Sequence, residues 1–360
     1  MIEKMILTGT SKEIGEQHGR LGKNQIIQSL ETYEKLFRDY QFISWNEARE
    51  MALHYVKAIE KYDDQLLEEM EGVAKGAGVD IEDILALNAR TEIALGSYGN
   101  RQFTDGCTAI ATTSPISHDT IIGQNWDWKG AQTKSLLLLE VHRKNKPVIT
   151  MMTEGGIIGK IGYNSAGLGL CFNALLTDRK SNEVPIHLAL RGVLNSFTLS
   201  EAISKIKDGQ TAASASLLIG KSEEDGSGMV INVEVSPFGI DYVGGDKGFL
   251  VHTNHIMSPV IKKHLLDMNE YCFEDSMLRY KRAQQLINIA IKKNEKIDHE
   301  VYKKWLSDTF NAPNSINHLC NPHAEEHRQM ETVFSIIMNL TKRKTFLSIG
   351  KPADGQFIEI

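Results

Sequence analysis

From Thr10 the chain repeats apolar residues at helical spacing through Ile14, Leu21, Ile26, Leu30, Tyr33 and Phe37. Thr10 and Glu13 have the T-x-x-E spacing of a capping box, which predicts a helix over roughly 11–38. Asn46 can cap a second helix running toward Gly76 and Gly78, both good stop residues, and Asp80 with Asp83 opens a third through Ile81, Ile84, Leu85 and Leu87. The segment up to residue 106 therefore reads as almost purely helical. At Gly106-Cys107 the pattern changes to short β-like runs at 108–112, 120–123, 136–142 and 148–152, separated by glycine turns such as Glu154-Gly155-Gly156 and Gly167-Leu168-Gly169. Two helical stretches follow near 185–196 and 199–208, then strands at 214–220, 228–235 and 249–253. Helices return at about 276–293 and 298–309, and strands at 332–340, 344–349 and 356–360 close the chain. Strands, helices and strands in this order fit stacked sheets covered by helices, an α+β arrangement.

Charge divides the chain at the same place. The 360 residues carry a net charge of -6, of which residues 1–106 contribute -7 and the remainder +1. An acidic helical front beside a neutral β-rich remainder predicts two parts, 1–106 and 107–360. The absence of a basic excess argues against a nucleic-acid partner. Four cysteines, none before Cys107, do not make a disulfide framework. The start lacks the apolar core of a signal peptide, and the longest uncharged run, Ile161–Thr177, is too short and polar for a membrane span. The expectation is a cytoplasmic protein with no membrane association.

Chemistry concentrates at that boundary, in Asp105-Gly106-Cys107-Thr108. The Cys107 thiol can attack the preceding carbonyl, shift the acyl group from nitrogen to sulfur and release a new N-terminal cysteine. Gly106 suits the scissile position because glycine tolerates strained backbone geometry. The freed α-amine, with a reference pKa of about 7.7–8.0, can act as general base for its own thiol. The competing reading of Cys107 is a small buried hydrophobe. In Gly123-Gln124-Asn125-Trp126-Asp127-Trp128 two tryptophans flank one carboxylate, a dry wall beside a charge that can orient the new amine; Asp127 also reads as a strand-end carboxylate in a turn. A rival of another class is a zinc site built from His318, Cys320, His323 and His327, with His252 and His255 as further ligands, since imidazole and thiolate are what zinc prefers.

Eight pieces in order then carry a resemblance. They are Glu13-Ile14-Gly15 with Gln17-His18-Gly19; Leu87-Asn88-Ala89-Arg90-Thr91-Glu92; Asp105 to Thr108; Gly123 to Asp127; Glu154 to Gly162 with Asn164 to Gly167; Phe172-Asn173-Ala174-Leu175; Val251-His252-Thr253-Asn254-His255; and Asp275-Ser276 with Arg279 and Arg282. The sequence resembles the acyl-coenzyme A:isopenicillin N acyltransferase family of N-terminal-nucleophile hydrolases, distant relatives of penicillin V acylase and bile-salt hydrolases. The resemblance implies a four-layer αββα sandwich, cleaved between Gly106 and Cys107, whose two fragments stay associated. It implies Cys107 as nucleophile, Asp127 as partner of its amine, Asn173 and Asn254 as contacts to the reacting acyl group that supply oxyanion donors, and Arg279 beside the nucleophile. No cofactor or metal is implied, only a small N-acyl substrate, with Trp126 and Trp128 expected to line an apolar acyl pocket.

The match breaks near the end. Where the acyltransferase has Ser-Ile-Cys-Arg this chain has Ser315-Ile316-Asn317-His318, and Gln356 to Ile360 lacks a peroxisomal signal. Hydrolysis of linear amide bonds in small N-acyl compounds is therefore the expected reaction, with acyl-coenzyme A-dependent transfer of the penicillin type as the alternative. A homo-oligomer stays compatible with either.

Overall fold

The computed structural model describes residues 2–94, 106–207, 209–245, 247–269 and 275–360. Asp105, the first residue of the boundary motif, lies outside them. Among the described residues the strands form two sheets. One has eight strands in the order β1 (Lys4–Gly9), β4 (Leu136–Arg143), β5 (Ile149–Glu154), β6 (Ile161–Asn164), β7 (Leu168–Ala174), β8 (Ala215–Ser222), β9 (Gly228–Ser236), β10 (Gly239–Tyr242). The other has six, in the order β11 (Phe249–His252), β2 (Gly106–Thr112), β3 (Ile121–Trp128), β12 (Glu331–Asn339), β13 (Lys344–Ile349), β14 (Ile358–Glu359). Their inner faces meet where β2 and β3 pack on β7. Helices α1 (Ser11–Leu21), α2 (Lys23–Leu36) and α7 (Ile186–Leu194) cover the outer face of the larger sheet, and α9 (Asp275–Lys292) and α10 (His299–Leu306) cover that of the smaller. The layers thus run α, β, β, α.

The front helices obey their caps. Thr10 with Glu13, Ser44 with Glu47 and Asp80 with Asp83 each form a capping box, opening α1, α3 (Trp45–Leu53) and α5 (Ile81–Asn88). The second helix is therefore capped by Ser44 rather than Asn46, and the expected single helix over 11–38 is broken at Gly22 into α1 and α2. Gly78, with φ +72°, ends α4 (Val56–Ala77). Gly76 does not stop it. A Cβ there would lie 2.3 Å from the Glu16 carbonyl oxygen, and one on Gly15 would lie 2.0 Å from that of Glu69. These glycines let the backbones of α1 and α4 touch, a role the helical pattern does not display.

The front segment is not purely helical either. Its strand β1 pairs in parallel with β4, so residues before 106 complete the larger sheet. Buried charges stitch the same join. Arg191 binds Glu69 through two 2.9 Å hydrogen bonds, and Glu154 accepts from Tyr33, Arg90, Lys160 and Gln132. Burial works to raise the Glu154 pKa, but Arg90 and Lys160 outweigh it and hold this carboxyl far below the usual range. Removing one partner of such a pair strands a buried charge, so the join resists separation. No described helix is long and apolar enough to cross a membrane.

Candidate active site

Strand alternation sorts the candidate residues onto two faces. β3 continues through Trp128, so Asp127 lies inside a strand and not in a turn. Asn125 donates from Nδ2 to the carbonyls of Leu306 and Ile316, which puts Asn125 and Asp127 on the helix-covered face. Trp126 and Trp128 point the other way, into the space between the sheets. Cys107 pairs with Trp126 and belongs to the inter-sheet core, whereas Gly106 pairs with Asp127 and Thr108 with Asn125.

From the helix-covered face Arg279, on the first turns of α9, reaches the nucleophile's backbone. Its Nη1 donates to the Cys107 carbonyl at 2.6 Å and to Thr108 Oγ1 at 3.1 Å, and its Nη2 donates to Asn254 Oδ1 at 3.0 Å. Asp275, one turn earlier, accepts from Arg279 Nε at 2.7 Å. Burial works to lower the Arg279 pKa, yet Asp275 and Asp127 overcome it, with a further contribution from Cys107, and the guanidinium stays charged.

Asn254 follows β11. Its Oδ1 accepts from the Cys107 backbone N–H at 2.9 Å, and its Nδ2 donates to the Ala174 carbonyl at 3.2 Å. The Asn254 backbone is fixed on both sides. Its N–H donates to Ser276 Oγ at 2.8 Å, and its carbonyl accepts from Asn269 Nδ2. Asn173 crosses between the sheets to donate to the His252 carbonyl at 3.4 Å, while its Oδ1 is buried without a partner. The Asn173 Nδ2 keeps a second N–H beyond the one directed at His252.

Asp127 Oδ1 accepts from Thr332 Oγ1 at 2.6 Å, and that hydroxyl in turn accepts from the His318 N–H at 2.9 Å. Thr332, Asp275, Ser276 and Asn269 were not singled out for roles by sequence reasoning. The four-residue spacing of Asp275 and Arg279 was a visible signal, but Thr332 lies 205 positions from Asp127 and sheet pairing alone unites them. Trp126 and Trp128 are buried and stacked, with ring centroids 6.4 Å apart. The Lys160 ammonium lies 3.3 Å from the centroid of Trp126, and the Arg90 guanidinium 5.4 Å from that of Trp128.

The zinc reading does not survive. His318 is buried beside Asp275 and Arg279, Cys320 and His323 are exposed, and His327 lies against Tyr40. His252 is engaged by Glu234 at 2.8 Å, and His255 by Ser276 at 2.9 Å. Among the described residues no three His, Cys, Asp or Glu side chains are grouped to hold a metal ion.

Several of these buried histidines titrate abnormally. Burial pushes His18, His255 and His318 each down to about 4, and His187 well below its ordinary value. Protons that unfolding lets these rings bind are refused by the folded state, so stability falls as pH drops from 6.5 toward 4. Glu92 opposes this: burial raises it to about 7, and its contribution is lost as pH rises through that value. The histidines outnumber it. Urea unfolding should give a lower stability at pH 5 than at pH 7; equal stability at the two pH values would contradict this balance.

The description of the matching family model is acyl-coenzyme A:6-aminopenicillanic acid acyl-transferase, and it covers residues 116–354. The acyl-coenzyme A:6-aminopenicillanic-acid-acyltransferase 40 kDa form of Emericella nidulans is 32% identical over 350 residues, spanning 96% of this chain and 91% of that protein. Among solved structures, a mutant conjugated bile acid hydrolase from Clostridium perfringens aligns with 71% of this chain and 92% of its own, at 14% identity and a TM-score of 0.48. Penicillin V acylase from Agrobacterium tumefaciens aligns with 68% and 83%, at 14% identity and a TM-score of 0.39. With a family model covering more than half its length and a relative this similar from end to end, the chain belongs to the acyl-coenzyme A:6-aminopenicillanic acid acyl-transferase family.

Proposed function

We propose that the chain is a self-processing cysteine amidohydrolase and acyltransferase that works through an acyl-thioester on Cys107. The observation that carries this reading is the clamp around one residue: Asn254 Oδ1 on the Cys107 nitrogen, Arg279 on its carbonyl, and Asp127 directly across the ladder from Gly106. In processing, the thiol sulfur bonds to the Gly106 carbonyl carbon, the C–N bond breaks, and the thiol proton passes to the departing nitrogen. That shift frees the Cys107 α-amine, and water then hydrolyses the thioester to the Gly106 carboxylate and the free Cys107 thiol. Fragments 1–106 and 107–360 stay together through β1 and the buried Glu69–Arg191 and Arg90–Glu154 pairs.

In turnover that α-amine takes the thiol proton and returns it to the leaving amine, acting near its own pKa where such catalysis is efficient. Asp127 lies beside the position the amine occupies, and Asn254 Oδ1 fixes its direction. Asn254 Nδ2 is the donor closest to hand for the oxyanion. One of its two N–H groups is directed at the Ala174 carbonyl at 3.2 Å, and the second serves that contact. The substrate class is the linear amide of a small N-acyl compound, with water completing the reaction.

Family membership supports a second reading, in which an acyl-coenzyme A thioester loads Cys107 and an amine takes the acyl group. A panel of N-acyl amides assayed with and without an acyl-coenzyme A donor separates the two. Hydrolysis of an amide without any thioester is expected. Robust transfer from the thioester with negligible amide hydrolysis would establish the second reading instead.

A further inference from the structure

Gly106 is the first residue of β2 and pairs with Asp127. It is glycine because of crowding. A Cβ at this position would lie 2.9 Å from Asp127 Cβ, 3.1 Å from Met330 Sδ and 3.2 Å from Asp127 Oδ2. The first of these distances is closer than two carbon atoms approach without something shifting.

Neither wall yields readily. Asp127 is fixed across the ladder from Gly106 and through Thr332. Met330 follows a stretch whose carbonyls at Glu326, His327 and Gln329 all accept from one ammonium, Lys129 Nζ, at 2.7–3.0 Å. Met330 is itself buried, and it also lines a cavity of about 460 Å³ between α2 and the 326–331 segment.

This crowding bears on substrates if the proposed function holds. Self-cleavage and turnover use the same sulfur to attack an acyl carbon, so the Gly106 carbonyl marks where a substrate's carbonyl must come. The substrate's α-carbon then falls where the Gly106 α-carbon lies. We infer that Asp127 and Met330 form a gate at the acyl α-carbon, excluding acyl groups that carry a substituent in the L-side-chain position of that carbon. A substituent in the position of an L-side chain meets the same two walls as the missing Cβ.

The test compares chromogenic amides of phenylacetic acid and of both enantiomers of 2-phenylpropanoic acid, by kcat/KM. The parent should prefer the phenylacetyl amide at least 100-fold over the enantiomer whose methyl takes the L-side-chain position. Met330→Ala should narrow that ratio at least fivefold, and Met330→Leu, which keeps the bulk, should retain it. A second arm reads the gate without substrate. Gly106→Ala should slow self-cleavage at least tenfold, and adding Met330→Ala should restore part of the rate.

A parent that hydrolyses all three amides within threefold of one another overturns the gate, as does an unchanged ratio in Met330→Ala or Gly106→Ala cleaving at the parental rate. A parent that cleaves itself but turns over no acyl compound overturns the proposed substrate chemistry, and the self-cleavage arm then decides the gate alone. One that neither cleaves itself nor turns over any acyl compound overturns both.

Discussion

Cys107→Ala should remain a single chain of 360 residues and lose activity by a factor on the order of 10⁴ or more, the scale seen when a nucleophile that acts as one unit with its base is deleted. Two functions depend on the same sulfur. Without it no thioester forms at Gly106, so the α-amine that serves as base is never released. The fold should survive, because Cys107 is buried in the inter-sheet core and the change removes a single atom, while the backbone contacts to Asn254 and Arg279 stay. Denaturing electrophoresis and an amide assay on the same preparation check both halves. A Cys107→Ala chain that still splits into two fragments, or turns over amides at the parental rate, would remove this residue from the mechanism.

The second large effect belongs to Asn254. Asn254→Ala should lower kcat by roughly 10²–10³, the range for loss of one oxyanion donor in a dry site, with a smaller change in KM. Truncation also strips the acceptor from the Cys107 nitrogen and from Arg279 Nη2, leaving two buried donors unsatisfied at about 1–3 kcal/mol each. Part of the loss is therefore disorder of the nucleophile. Asn254→Asp separates the contributions, since it keeps an oxygen for Cys107 and Arg279 but loses the Nδ2 donor. It should process more nearly normally than it turns over. Activity within threefold of the parent in a processed Asn254→Ala enzyme would take the oxyanion role away from this residue.

The elements legible in the sequence were those written locally. The Thr10/Glu13 and Asp80/Asp83 capping boxes marked helix starts, and the change of period at Gly106 marked where β2 begins. Strand β1 was missed because Lys4–Gly9 is a short run whose partner lies over 130 positions away. Strand β7 was hidden by Gly167-Leu168-Gly169, which read as a turn; a Cβ on Gly169 would lie 2.8 Å from Ile122 and from Leu340, so that glycine serves packing between the layers. Gly76 misled for a related reason, since helix contact and helix termination favour the same residue.

At the site, Cys107 and Asp127 stood out by chemistry, Asn254 and Arg279 through the resemblance alone, and the fold brings all four around one strand end. Their supports did not stand out. Thr332 and Met330 are ordinary residues made important by register against Asp127 and by contact with Gly106. The four candidate zinc ligands show the opposite failure, where close spacing in sequence did not become closeness in space.

The account rests on a bond that has to break. Intact-mass analysis and N-terminal sequencing of the purified wild-type protein test it most directly. The prediction is two co-purifying fragments of 106 and 254 residues, the second beginning with Cys107. An active protein that stays one uncut chain would contradict it.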